Sequence, residues 1–450
     1  MRRIVIVGGG LAGISAALDC ASAGTAVTLL ESRGRLGGAA YSFTRDGIVA
    51  DNGQHVFLRC CTAYRNLLDE IGASDLVTLQ PRLAIPVLAP GGRIAWLRRS
   101  DLPAPLHLAG ALTRYPFLNA RQRASLALAM NALRRVDPDD PAADARSFGE
   151  WLAEHGQSPE AVAVMWELIA RPTLNLLAAD ASLAQAAYVF QQGLLGDNAS
   201  GDVGFARVPL GEIHDVAARR ALARAGVDVR LRLGATAIVP GEEGFRVEAG
   251  GVAPLGADAV ILAVSHVRAA KLLPPGSGVD VAGLAALGTS PIVNLHVVYD
   301  RRVVDLPFAA GVHTPVQWLF DRTSGSGLDH GQYLAISLSA AEAELDMTIE
   351  DLRERFLPAL ADLLPAARDA RAEWFLVTRE HAATFRAAPG ARALRPGPRT
   401  AVPGLVLAGS WTDTGWPATM EGAVRSGRAA AREALRTIAS RPEVGAAVAA

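Results

Sequence analysis

Four residues near the N-terminus have the types and spacing of a phosphate cradle. Gly8, Gly10 and Gly13 form a G-x-G-x-x-G turn after a β-branched run, Arg3–Val7, and open an Ala- and Leu-rich stretch over 11–23. In such a turn the first glycine permits the bend and the second lets the backbone approach a pyrophosphate. The third lets the helix pack on the strand, and the helix N-terminus offers free amides to the phosphates. Glu31 follows at the distance of about 20 residues at which an acid reaches a ribose hydroxyl. This fingerprint leaves NAD and FAD both open. A second glycine turn, Arg33-Gly34-Arg35-Leu36-Gly37-Gly38, has the backbone nest and arginines for further phosphate or flavin contacts, with Arg35, Gly37 and Gly38 as candidates. Near the other end, a buried run stops at Gly409-Ser410 and a helix is predicted from Thr419-Met420. Its dipole end would stabilise negative charge on a reduced flavin. The candidate proton donors are His55, Asp51 and Glu421. His55 ionises nearest neutral pH. It also reads as a ring hydrogen-bonded to backbone, Asp51 as a loop cap, and Glu421 as a first-turn acid.

The elements that must hold these residues follow from pattern and composition. The 450 residues are about three times a typical domain. Lys and Arg number 44 against 45 Asp and Glu, a balance that argues against nucleic acid as a partner. Three cysteines without a CxxC pair argue against a disulfide framework and a cysteine metal site, and fit a reducing cytoplasm. No apolar run is long enough to span a bilayer. The stretch 121–135, apolar between arginines, would suit a helix at a membrane surface or an ordinary half-buried helix. Strand-helix-strand patterning at the start, middle and end predicts an α/β fold with a discontinuous Rossmann-like domain built from 1–66, 201–275 and 399–440. A mostly helical insert over 67–200 and a sheet-and-helix segment over 276–398 form a mixed α+β substrate domain. Residues 441–450 read as a flexible tail.

Four stretches narrow the chemistry. Glu31 to Gly38 resembles the E-x-x-x-R-x-G-G signature of the FAD-dependent amine oxidase and phytoene desaturase superfamily, and Thr419-Met420-Glu421-Gly422-Ala423 is similar to its C-terminal ending. Asp51-Asn52-Gly53-Gln54-His55-Val56 and Trp166-Glu167-Leu168 through Asn175-Leu176 resemble the hydroxysqualene dehydroxylase branch. The chain departs from the superfamily at Ala39, where arginine is common, and at Ser410, where an acid is common. The resemblance implies non-covalent FAD, a polyprenoid substrate, and replacement of its hydroxyl by hydride. Carotene desaturation is the alternative, and amine oxidation a third. It further implies an external electron donor, since no second complete dinucleotide fingerprint is present, and an apolar tunnel lined by the Trp166 to Leu176 segment.

Overall fold

The computed structural model describes residues 2–440; the tail expected over 441–450 lies outside them. A five-stranded parallel sheet is assembled from distant parts of the chain. Its order is Asp228–Leu231, Ala26–Glu31, Arg3–Val7, Ala259–Leu262 and Leu405–Leu407. Ile4 to Val7 are buried on both faces, as expected of a central parallel strand. The fold is α/β with a Rossmann-like arrangement of these strands.

Two helices cover one face of this sheet, and they touch closely. The first, Leu11–Ser22, begins at Gly10, which supplies no side-chain cap. A Cβ on Gly13 would lie 1.9 Å from the Gly8 carbonyl oxygen, so only glycine lets this helix sit against its strand. The C-terminal helix, Met420–Ser440, crosses the first at Gly427, where a Cβ would lie 2.1 Å from the Ala12 carbonyl oxygen. Ser15 Oγ donates to the Val424 carbonyl at 3.3 Å across the same crossing.

The second large sheet has seven strands, in the order Ala372–Thr384, Ser290–Tyr299, Gln332–Ser339, Trp318–Asp321, Phe308–Gly311, Ala84–Ala89 and Arg93–Arg98. One face packs on the helix Ile349–Leu363, through Val293, Leu295, Leu334, Phe356 and Leu360. The other carries Asn294, His296 and Tyr333 toward a hairpin, Ser42–Arg45 with Ile48–Asp51, that follows the glycine turns. That hairpin joins the cofactor cradle to the large sheet.

The segment 67–200, expected to be mostly helical, also gives strands. Val77–Leu79 pairs with Val203–Ala206, and the hairpin 84–98 completes the seven-stranded sheet. Pro86 obscures the first strand of that hairpin in the sequence. It is tolerated because pairing with Phe308–Gly311 starts only at Val87, so its missing N–H breaks no bond there. The helix read at 121–135 is Ala120–Leu133, capped reciprocally by Asn119 and Gln122. Pro358 does not end the helix Ile349–Leu363, which runs through it.

Gly427→Ala should drive the two terminal helices apart. Overpacking of this kind costs about 1–3 kcal/mol, and urea unfolding of the variant should show the loss.

Candidate functional site

The glycine cradle is built as its spacing demands. Gly8 has φ +112°, and a Cβ there would lie 2.3 Å from the Ala263 carbonyl oxygen. A Cβ on Gly10 would meet only Gly38 Cα, at 3.7 Å, while one on Gly38 would come within 2.8 Å of Gly10 Cα. The two glycine turns therefore meet backbone to backbone, and Gly37 N–H ties them by donating to the Gly9 carbonyl at 2.9 Å. Beside them the first-turn amides of the uncapped first helix lack intrahelical acceptors. Glu31, at the end of its strand, accepts from Gly9 N–H (2.8 Å), Arg33 N–H (2.7 Å) and Ser32 Oγ (3.1 Å). A carboxylate has about four acceptor positions, so one stays open to a sugar hydroxyl. These residues fit a bound dinucleotide.

Arg35 lies against the second glycine turn. Its Nη1 donates to the carbonyls of Leu36 and Gly38, and its guanidinium lies 3.3 Å from the centre of the Tyr41 ring. It holds the second turn in shape.

At the other end of the sheet, Gly409 has φ +142° and donates its N–H to Ser426 Oγ at 2.8 Å. Thr419 Oγ1 accepts from Gly422 N–H at 3.1 Å and so caps the C-terminal helix, leaving the first-turn amide of Met420 without an intrahelical acceptor. Ser410 enters through its backbone, its carbonyl accepting from Arg395. Arg395 was invisible to motif reasoning. Its guanidinium also donates to the carbonyls of Trp411, Thr412 and Trp416.

Between the cradle and the large sheet lies a polar junction centred on Asn52. Its side chain accepts from Tyr41 N–H (2.9 Å) and donates to the Ala39 carbonyl (2.9 Å) and to Glu380 Oε1 (2.9 Å). Its own carbonyl accepts from Asn294 Nδ2 (2.8 Å) and Thr378 Oγ1 (3.2 Å). Two buried polar atoms nearby have no protein partner, Asn294 Oδ1 and Gln54 Nε2. Gly53 leaves space between them and the histidine, since a Cβ there would sit 3.5 Å from Asn294 Nδ2 and 3.6 Å from His55 Nε2.

The two carboxylates expected as proton donors are anchors instead. Asp51 accepts from Ser42 Oγ (2.6 Å) and Leu210 N–H (2.9 Å), and pairs with Arg322 at 2.8 Å. Glu421 accepts from the amides of Ala63 (3.0 Å) and Tyr64 (2.7 Å), and from Arg425 Nε (2.6 Å). It thereby pins the N-terminus of the helix Thr62–Ile71.

His55 is the candidate without anchoring hydrogen bonds, and it shares its open space with Asp51. It borders a cavity of about 660 Å³ with Gln54, Val56, Phe205 and Phe320, and Arg302 and Asp305 lie at the rim. Burial depresses its pKa from 6.5 to about 4. Close by, burial likewise holds His214 at about 4. Its Nδ1 lies 3.1 Å from the Ala40 carbonyl and its Nε2 2.8 Å from the Tyr64 hydroxyl. A carbonyl only accepts, so Nδ1 carries the proton and Tyr64 donates to Nε2.

The Trp166 to Leu176 segment does not border this cavity. Trp166 is fully buried with Nε1 donating to Gln157 Oε1 at 2.9 Å, and Leu168, Leu174 and Leu176 belong to the same core. Asn175, in a left-handed conformation, ties its helix to Ser290, Thr384 and Ala340. The segment is a packing element. Among the described residues no cluster of His, Cys, Asp and Glu could hold a metal ion, and no helix is long and apolar enough to cross a membrane.

Comparison with known proteins gives concordant relatives. The family of flavin containing amine oxidoreductases matches residues 11–435. The chain is 29% identical to a hydroxysqualene dehydroxylase of Sinorhizobium fredii, over 96% of this chain and 98% of that one. It is 29% identical to the hydroxysqualene dehydroxylase of Rhodopseudomonas palustris, over 96% and 97%. A zeta-carotene desaturase of a Synechocystis species is 26% identical, over 96% and 97%. Among solved structures, a putrescine oxidase variant superposes with a TM-score of 0.71 at 21% identity, covering 97% of this chain and 99% of that one.

The buried histidines set a pH dependence. His55, His214 and His296 are each held near pKa 4 in the fold, against 6.5 for an ordinary histidine. The unfolded chain takes up protons from about pH 6.5 downward, the native one only near 4. Their stabilisation is therefore complete above pH 6.5 and is lost as the pH falls toward 4. Thermal midpoints measured from pH 8 to 4 should fall over that window, and His296→Gln should flatten the fall.

Proposed function

Because the chain belongs to the family of flavin containing amine oxidoreductases and is an FAD-dependent oxidoreductase, we propose that it reductively removes the hydroxyl of hydroxysqualene to give squalene. The observation that carries this reading is the near-full-length match to two hydroxysqualene dehydroxylases. The Asn52 to His55 stretch, between cradle and cavity, supports it.

When bound in its reduced form, FAD supplies the hydride. The glycine turns and Glu31 would hold its dinucleotide half, and Gly409, Ser410, Thr419 and Met420 the far end. The protein's task at the substrate is to help the C–O bond break. His55 is the titratable ring on the cavity wall that no other residue occupies. As imidazolium it would give its proton to the hydroxyl oxygen, so that water departs and leaves an allylic cation, which hydride from a bound reduced FAD would quench. Protons and electrons balance, with one alcohol, one proton and one hydride giving one hydrocarbon and one water. The faces of Phe205 and Phe320 provide apolar walls that tolerate a transient positive charge. Asp51, tied to Arg322, holds the loop that presents His55.

Reducing equivalents come from an external donor in this reading. Peripheral membrane contact belongs to it too, because a polyprenoid partitions into lipid. The helix Ala120–Leu133 supports that contact, with Leu128 72% exposed between Arg121 and Arg134. The second reading, carotene desaturation, is favoured by the zeta-carotene desaturase relatives and runs hydride transfer the opposite way.

Photoreduced enzyme mixed anaerobically with hydroxysqualene should reoxidise its flavin and form squalene in equal amounts. Reduction of the oxidised enzyme by a carotene, with no reaction of hydroxysqualene, would select the second reading.

The proton transfer has its own signature. With a pKa of about 4, the imidazolium fraction of His55 falls about tenfold per unit as pH rises above that value. Turnover should therefore climb steadily as the pH is lowered from 8 to 5. His55→Gln should keep its flavin spectrum, lose about 10²–10⁴-fold in rate, and lose the climb.

A further inference from the structure

Arg395 belongs to no motif, yet it holds the loop between the last strand of the parallel sheet and the C-terminal helix. Its side chain is 6% exposed, and its hydrogen bonds go to carbonyls rather than carboxylates. Nε donates to Trp411 O at 3.3 Å; Nη2 lies 3.3 Å from Ser410 O, 2.7 Å from Thr412 O and 2.7 Å from Trp416 O. The guanidinium packs 4.8 Å from the centre of the Phe385 ring. Next to it, the Pro396 carbonyl accepts from Asp413 N–H at 2.9 Å, so the same short segment grips the loop a fifth time.

This arrangement has two physical consequences. In a trans peptide the C=O and N–H point opposite ways. Drawing the Ser410 carbonyl toward Arg395 therefore turns the Trp411 amide to the loop's other side. The Gly409 carbonyl is occupied by Thr412, through both its N–H (3.0 Å) and its Oγ1 (3.0 Å), which fixes the start of the loop in the same sense. The second consequence is electrostatic. Burial lowers the guanidinium pKa to about 10, still charged at neutral pH, so a positive charge sits behind the loop, against carbonyl dipoles and an aromatic face and within electrostatic reach of Asp413, Asp144 and Arg392.

We propose that Arg395 is a positioning residue for FAD. By gathering four carbonyls it sets the 409–416 loop in the shape that receives the flavin end, and its buried charge favours the reduced, more negative flavin over the oxidised one. The inference rests on the assignment of this loop to the cofactor and not on the identity of the substrate. A lysine at this position keeps the charge but offers a compact ammonium with three donors, which cannot span the same carbonyls.

The test uses the full-length protein, FAD and no substrate, so it stands or falls apart from the reaction assignment. Arg395→Lys and Arg395→Gln are compared with the parent by FAD titration of apoprotein, by the midpoint potential of the bound flavin, and by thermal unfolding of apoprotein. Both variants should bind FAD at least about tenfold more weakly, as expected when charged hydrogen bonds are lost. The flavin potential should turn more negative in Arg395→Gln and stay near the parent value in Arg395→Lys. Parental FAD affinity and potential in the variants, with only a lowered unfolding temperature, would overturn the proposal. If Arg395→Gln does not fold, the lysine variant alone decides: weakened FAD binding with parental apoprotein stability supports the proposal, and parental binding overturns it.

Discussion

Asn52 joins parts of the chain that no backbone element connects. Its amide clamps Ala39 and Tyr41 after the glycine turns to Glu380 on the edge strand, and its carbonyl takes donors from Asn294 and Thr378 on the large sheet. Each bond contributes about 1 kcal/mol net, but a buried partner left unpaired costs about 1–3 kcal/mol. The junction is therefore close to all-or-none. Together with the Tyr41 hydroxyl on Glu380 and the Asp51–Arg322 pair, it keeps cradle, cavity and sheet in their relation.

Around that junction, acidic groups hold the frame while neutral rings face the space. Asp51 and Glu421 each collect several donors and fasten separate segments, the hairpin in one case and the helix Thr62–Ile71 in the other. His55 and His214 lie in surroundings that resist a positive charge, and His55 makes protonation of His214 harder still.

The glycine cradle was legible because its geometry admits one residue type. At Gly8, Gly13 and Gly38 a single added carbon collides with backbone, so the requirement is written in the sequence. The parallel strands were legible for a similar reason, being short runs buried on both faces. What stayed hidden depends on long-range pairing. Asn52 and Asn294 are 242 positions apart, and no local pattern marks either as a partner of the other. Arg395 binds carbonyls, which every residue type provides, so its partners carry no signature. Pro81 and Pro86 made the hairpin 84–98 read as a break between helices. The Trp166 to Leu176 stretch resembled family sequence because its packing is demanding: Trp166, Leu174 and Asn175 are all enclosed.

The crossing of the two terminal helices also bears on how the molecule comes to exist. Ser15 reaches Val424 across 409 positions, and the sheet beneath them closes only when Leu405–Leu407 pairs beside Ala259–Leu262. A chain emerging from the ribosome at about 5–20 residues per second makes its glycine turn at once, but must wait for the opposing helix. During that interval the central strand has apolar faces and no finished layer over them. Non-local closure of this kind slows folding. It also means that the dinucleotide meets an incomplete receptor until Leu405–Leu407 and the helix after it are in place.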